Sequence, residues 1–136
     1  MALFLDTSFV IALEMARDNQ HKAAAGYWAG YIQNPQALVT TDLVFAEIVT
    51  FFNARGLHGK AVEVGDRLLG SQLVEVVSVT PELRADAWTL FKRHADKQYS
   101  LADCASFIVM RKRRIGRALT FDDHFAQAGL TMVPAQ

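Results

Sequence analysis

Short apolar runs bounded by polar residues alternate along this chain with longer stretches whose apolar residues recur at helical spacing. Residues 3–5, 37–40, 73–79, 118–120 and 130–133 form the short runs and read as strands. The first, Leu3-Phe4-Leu5, is apolar at every position, which suits a strand buried on both faces. The longer stretches predict helices. One starts at Thr7 or Ser8 as cap and runs to about Ala16, and a second spans His21 to about Gln33, closed by Asn34-Pro35. A third is capped by Thr41 or Asp42 and stopped at Gly56, and a fourth runs from His58 to about Leu69. Thr80-Pro81, a cap followed by proline at the first helical position, starts a helix to about Ala95, and Ser100 opens another through Met110. Strands alternating with helices predict an α/β fold. Its core is a mainly parallel sheet of about five strands, flanked by helices in three layers with right-handed crossovers.

Composition narrows this only slightly. The chain has 136 residues and shows no repeat, linker or low-complexity tract, so one domain over 1–136 is expected. Fourteen basic residues balance fourteen acidic ones, so no global field marks a nucleic-acid binder. The single cysteine, Cys104, excludes an internal disulfide and a cysteine-based zinc site. No apolar run is long enough for a membrane span and no signal-type leader opens the chain, so the expected location is the cytoplasm.

The acids change the picture more. Asp6 ends the first strand and Asp122 follows the fourth; Glu47 sits near the start of the helix after the second strand. Asp103 lies in the first turn of the helix that feeds the fourth strand. Each has an ordinary explanation: Asp6 as a turn residue, Ser100-x-x-Asp103 as a capping box, Asp122 as the cap of a last short helix with Asp123 solvated beside it. Glu47 is harder to dismiss, because Phe45-Ala46 and Ile48-Val49 surround it and an unpaired buried carboxylate is costly. In a parallel sheet all four fall at the carboxyl edge of the strands, where such sheets form ligand crevices. Four carboxylates together repel, and a hard divalent cation, Mg²⁺ or Mn²⁺, is the simplest remedy. Zinc would want nitrogen or sulfur ligands. The chemistry that follows is phosphodiester hydrolysis. Ser8 and Thr120, beside Asp6 and Asp122, are candidates for supporting hydroxyls.

Phe4-Leu5-Asp6-Thr7-Ser8, Ala46-Glu47-Ile48, Ser100-Leu101-Ala102-Asp103 and Leu119-Thr120-Phe121-Asp122-Asp123-His124-Phe125, in this order over the whole chain, resemble the PIN-domain family, most closely its VapC-type toxins. The resemblance implies a Mg²⁺- or Mn²⁺-dependent ribonuclease acting on RNA. It carries the family's acidic quartet onto Asp6, Glu47, Asp103 and Asp122, with Asp123 as the fallback for the fourth place. It also implies a homodimer and a small cognate antitoxin.

Other features read as ordinary structure. Arg111 to Arg114 is the only dense basic run, and cations in the last turn of a helix complement its dipole. Tyr27, Trp28 and Tyr31 form a stripe at helical spacing that suits packing. His21 and His124 are within reach of the crevice rim without a pattern that assigns either a role. Two alternatives stand beside the nuclease. An aspartyl-phosphate protein would need a second acid next to Asp6 and a lysine ending a late strand, and neither is present. A non-catalytic module would use the acidic crevice to bind a basic partner segment.

Overall fold

The computed structural model describes all 136 residues. Five strands form one sheet: β1 (Leu3–Leu5), β2 (Leu38–Thr41), β3 (Val74–Val77), β4 (Arg117–Leu119) and β5 (Thr131–Val133). Their order is β3-β2-β1-β4-β5, and every neighbouring pair is parallel. Helices α1 (Thr7–Glu14) and α2 (His21–Tyr31) connect β1 to β2; α3 (Asp42–Ala54) and α4 (His58–Gly70) connect β2 to β3. Helices α5 (Pro81–Arg93) and α6 (Leu101–Arg113) cross back to β4, and α7 (His124–Gln127) precedes β5. With right-handed crossovers, α1–α4 fall on one face of the sheet and α5–α7 on the other. The α/β expectation holds, and the sheet is wholly parallel.

β1 is the centre of the molecule. Leu3, Phe4 and Leu5 are buried on both faces, as continuous hydrophobicity predicts. β3, the run richest in β-branched residues, is instead an edge strand: it is four residues long and Glu75 faces solvent. Other ends differ by one to three residues; α1 stops at Glu14, α2 at Tyr31 and α5 at Arg93. The larger correction concerns the start of α1. Asp6 occupies the cap position, but neither it nor Thr7 nor Ser8 makes a side-chain cap bond, because all three side chains are used elsewhere. Thr41, Thr80 and Ser100 do cap α3, α5 and α6.

One apolar core runs through both layers. Phe9 of α1 meets Tyr27 and Trp28 of α2, and Trp28 stacks on Tyr31, so the aromatic stripe of α2 is packing surface. α4 packs on α3 at Gly65, where a Cβ would stand in ordinary contact, 3.5 Å from Val49 Cγ2 and 3.6 Å from Phe45 Cζ. The basic run lies at the far end of α6, about 15 Å along the helix from its first turn. Arg113 grips Glu75 with two hydrogen bonds of 2.6 and 2.8 Å, and Lys112 pairs with Asp86 at 2.9 Å. Half of the run is therefore occupied in surface ion pairs.

Candidate active site

In this strand order the chain leaves β1 toward β2 on one side and returns to β4 on the other. The gap beyond the carboxyl ends of β1 and β4 is thus the switch point of the sheet, where a crevice must open. An open crevice of about 360 Å³ lies there, lined by Asp6, Thr7, Ser8, Ile11, Glu47, Gln98, Ser100, Asp103, Asp122 and His124. All four expected acids are in this lining. No lysine or arginine is.

Asp6 is placed by backbone and side chain together. Its amide donates to Leu119 O at 3.1 Å, which continues the β1–β4 ladder one step past the strands. Ser8 Oγ and Thr120 Oγ1 both donate to Asp6 Oδ2, at 2.8 and 2.7 Å. With both hydroxyl protons directed there, the 3.1 Å approach of the two hydroxyl oxygens is a contact, not a third bond. Ser8 Oγ accepts from the Phe121 amide and Thr120 Oγ1 from the Asp122 amide, so this clamp also shapes the chain after β4. Oδ1 of Asp6 has no protein donor. Because no fully buried side-chain polar atom is left unpartnered, that oxygen opens onto the crevice. Burial pushes the Asp6 carboxyl up to about 6; the hydroxyls of Thr120 and Ser8 oppose the shift, and Asp103 and Asp122 reinforce it.

Asp103 combines two roles that the sequence presents as alternatives. The capping box is present, with Ser100 Oγ accepting from the Asp103 amide and Asp103 Oδ2 accepting from the Ser100 amide. The same Oδ2 lies 3.1 Å from Nδ1 of His124. Burial holds the Asp103 carboxyl above its ordinary range; the Ser100 amide opposes this, and Asp122 adds to it. Asp122 does not sit at the α7 cap position, which Asp123 occupies; its Oδ1 accepts from the His124 amide at 2.9 Å. Asp123 is exposed and outside the crevice lining, whereas Asp122 lines it.

Glu47 is exposed at the crevice mouth, contrary to the burial expected from its apolar neighbours. The buried stripe of α3 is Val44, Ile48 and Phe52, while Phe45 and Val49 turn toward α4. That leaves the face with Glu47 and Thr50 open. Thr7 Oγ1 donates to Glu47 Oε1 at 2.8 Å. Desolvation raises the Glu47 carboxyl first, Thr7 counters, and the charges of Asp103 and Asp122 add to the rise.

The sequence puts His124 within reach of the crevice rim without assigning it a role, and the structure places it in the crevice lining. Its Nδ1 lies 3.1 Å from Asp103 and 3.3 Å from Asp122, and a carboxylate only accepts, so Nδ1 carries the proton. Thr7, inside the Asp6 motif but given no role, and Gln98, in no motif, also belong to the lining. His21 is far from this role: its Nδ1 bonds Ala12 O at 2.8 Å and ties α2 to α1.

The donor set fits a hard divalent cation. Ligand atoms of Asp103, Asp122 and His124 lie within 4.8 Å of one another, and Asp6 presents a free oxygen to the same space. Oxygen donors whose charge no lysine or arginine neutralises are what Mg²⁺ and Mn²⁺ accept, whereas the His124 ring is engaged with Asp103.

Residues 3–130 match the PIN domain. The chain is similar to the 23S rRNA-specific endonuclease VapC20 of Mycobacterium tuberculosis, at 39% identity over 131 residues covering 96% of this chain and 97% of that one. The crystal structure of that protein, described as a sarcin–ricin-loop-cleaving toxin, superposes with a TM-score of 0.86 at 37% identity, covering 95% and 96% of the two chains. FitAcB from Neisseria gonorrhoeae shares the fold alone, with a TM-score of 0.65 at 17% identity and coverage of 97% and 96%. The switch-point crevice, its four carboxylates and these likenesses agree: the chain belongs to the PIN-domain family, and within it to the VapC type.

Proposed function

We propose that this chain is a metal-dependent endoribonuclease, the toxin of a toxin–antitoxin pair, which cuts the sarcin–ricin loop of 23S rRNA. The observation that carries the reading is the convergence of Asp6, Glu47, Asp103 and Asp122 on one crevice that holds no lysine or arginine. The substrate rests on the likeness to VapC20 over nearly the whole of both chains. Asp6, Asp103 and Asp122 would hold a Mg²⁺ or Mn²⁺ ion, with Glu47 at the rim. A bound ion would supply Lewis acidity toward the phosphate and lower the pKa of a bound water. The protein's own part is to position and to move protons. Ser8 and Thr120 fix the Asp6 carboxylate, and His124 contacts Asp103 through its ring and Asp122 through its backbone amide. Glu47, whose Oε1 is taken by Thr7, has Oε2 to accept a proton from the attacking water.

A synthetic sarcin–ricin-loop hairpin incubated with the protein should be cut at one position with Mg²⁺ or Mn²⁺ and left intact in EDTA. Cleavage that persists in EDTA, or no cleavage of any RNA together with no calorimetric heat of divalent-ion binding, would overturn the reading. The non-catalytic module would then replace it.

In this reading the chain is one PIN domain, works in the cytoplasm, and pairs with a small antitoxin and with a second copy of itself. No helix is long and apolar enough to cross a membrane. An apolar groove of about 260 Å³ between α1, α2 and α4, walled by Phe9, Leu13, Trp28, Ile32 and Leu68, supports an apolar protein partner. Competition by a co-expressed upstream small protein for cleavage tests the antitoxin. Trp88 and Phe91 on α5, stacked at 5.4 Å yet 50% and 38% exposed, support a surface covered in a dimer. Light scattering should give twice the chain mass of 15.1 kDa for the wild type and a monomer for Trp88→Glu. A monomeric wild type at micromolar concentration would remove the dimer.

A further inference from the structure

We propose that Gln98 is a substrate-positioning residue whose side-chain amide contacts a nucleobase edge beside the scissile phosphate. The inference rests on the reading of the crevice as an RNA-cleaving site and goes beyond the acidic quartet.

Gln98 lines the crevice next to Ser100, Asp103 and His124, and its amide makes no hydrogen bond within the protein. Its backbone is left-handed, with φ of 60°, a conformation that L residues other than asparagine and aspartate seldom adopt. The chain has three other such positions. Gly56 and Gly129 are glycines in turns, and Arg114 is the C-terminal cap of α6, its amide bonded to the last turn of that helix. Those three serve the backbone alone. Gln98 does not cap a helix, and a glycine would make the same turn with less strain.

The turn places the exposed Gln98 between two fixed neighbours. On one side the Lys97 amide bonds His94 O at 3.1 Å. On the other, Tyr99 is buried edge-on against Phe107, at 5.0 Å, and His124, at 5.3 Å. With Tyr99 driven inward, the left-handed step leaves Gln98 on the crevice wall. A primary amide offers two donors and an acceptor without charge. In a crevice lined by four carboxylates, a neutral group that both donates and accepts suits a base edge, the uncharged and hydrogen-bonding part of an RNA strand.

The test compares the wild type with Gln98→Gly and Gln98→Asn on the synthetic hairpin. Affinity is read by fluorescence anisotropy in EDTA, steady-state cleavage in Mg²⁺, and stability by thermal melting. Gln98→Gly should melt no lower than the wild type, while Kd and KM rise about threefold to tenfold, as loss of one hydrogen-bonding group predicts. Its kcat should stay within about twofold, because the acids are untouched. Gln98→Asn, which keeps an amide and tolerates the left-handed region, should recover part of the affinity. Kd and KM within about twofold of wild type for Gln98→Gly, or losses that follow a lowered melting temperature, would overturn the proposal. A wild type that binds the hairpin in EDTA but never cuts it would defeat the nuclease reading while the Kd comparison still decides Gln98. A wild type that binds no RNA would defeat both.

Discussion

Asp6→Asn should lower metal-dependent cleavage by about a thousandfold, equivalent to ~4 kcal/mol of barrier, and at the same time make the metal-free protein more stable at pH 8. The two effects have one origin. The substitution keeps an oxygen to accept from Ser8 and Thr120, so the clamp survives, but it replaces the free carboxylate oxygen that faces the crevice with an uncharged donor. An ion loses a charged ligand. The folded chain loses a charge that burial disfavours. The Asp6 carboxyl lies at about 6 in the folded protein, above the ordinary aspartate value of 3.8. Between those two values the native state binds more protons than the unfolded one, so stability falls as pH rises through this window. Above it, the ionised Asp6 costs the native state about 1–3 kcal/mol in the absence of metal. In EDTA at pH 8, Asp6→Asn should therefore melt several degrees higher than wild type, and near pH 4 the difference should vanish. Added Mg²⁺ should raise the wild type's melting temperature and leave the variant's nearly unchanged. A variant that keeps a tenth of the activity would remove Asp6 from the chemistry. Equal melting at pH 8 in EDTA would mean that its charge is compensated in a way the hydrogen bonds do not show.

Phe107→Ala is the substitution with the largest expected effect on folding. Phe107 is fully buried on α6, one turn beyond Asp103, with Tyr99 and Phe125 edge-on against its ring at 5.0 and 5.1 Å. Truncating such a ring costs ~3–5 kcal/mol, from lost burial and from the cavity left behind. A domain of this size has about 5–15 kcal/mol in all, so the variant should be close to its unfolding midpoint in mild denaturant. Tyr99 and Phe125 sit beside Gln98 and His124 in sequence, so the crevice floor should loosen with the core. Phe107→Leu fills much of the volume and should lose ~1–2 kcal/mol while retaining cleavage. Urea titration checks both; a loss below about 1 kcal/mol for the alanine variant would show that the helices close over the gap.

Much of this was legible because local signals and the global fold agree. Leu3-Phe4-Leu5 has no polar position, so it had to be central, and an aspartate at its end had to face the strand edge. Thr80-Pro81 and Ser100-x-x-Asp103 announced their helices within one residue. Asp103 shows why a capping motif is not an argument against function: one carboxylate oxygen serves both the helix start and His124. The failures have a common physical form. Glu47 was misjudged because a helix with apolar residues all round can still turn one narrow face outward when neighbours take the others. Thr7 and Ser8 fit a cap in sequence, which does not reveal that Glu47 and Asp6 take their protons. Gln98 rests on a backbone angle, and His124 on a loop path; neither is encoded in a periodic pattern.

The hydroxyl clamp has a consequence for the order of events during synthesis. Ser8 and Thr120 are separated by 112 positions, and the clamp on Asp6 is complete only when both are present. The residue that opens the crevice therefore leaves the ribosome early and waits for β4, whose arrival depends on nearly the whole message having been read. Nascent chains that stall before Thr120 carry Asp6 with Ser8 alone and without Asp122, one of the acids facing it. The four carboxylates of the crevice thus come together only when translation of the fold is almost finished.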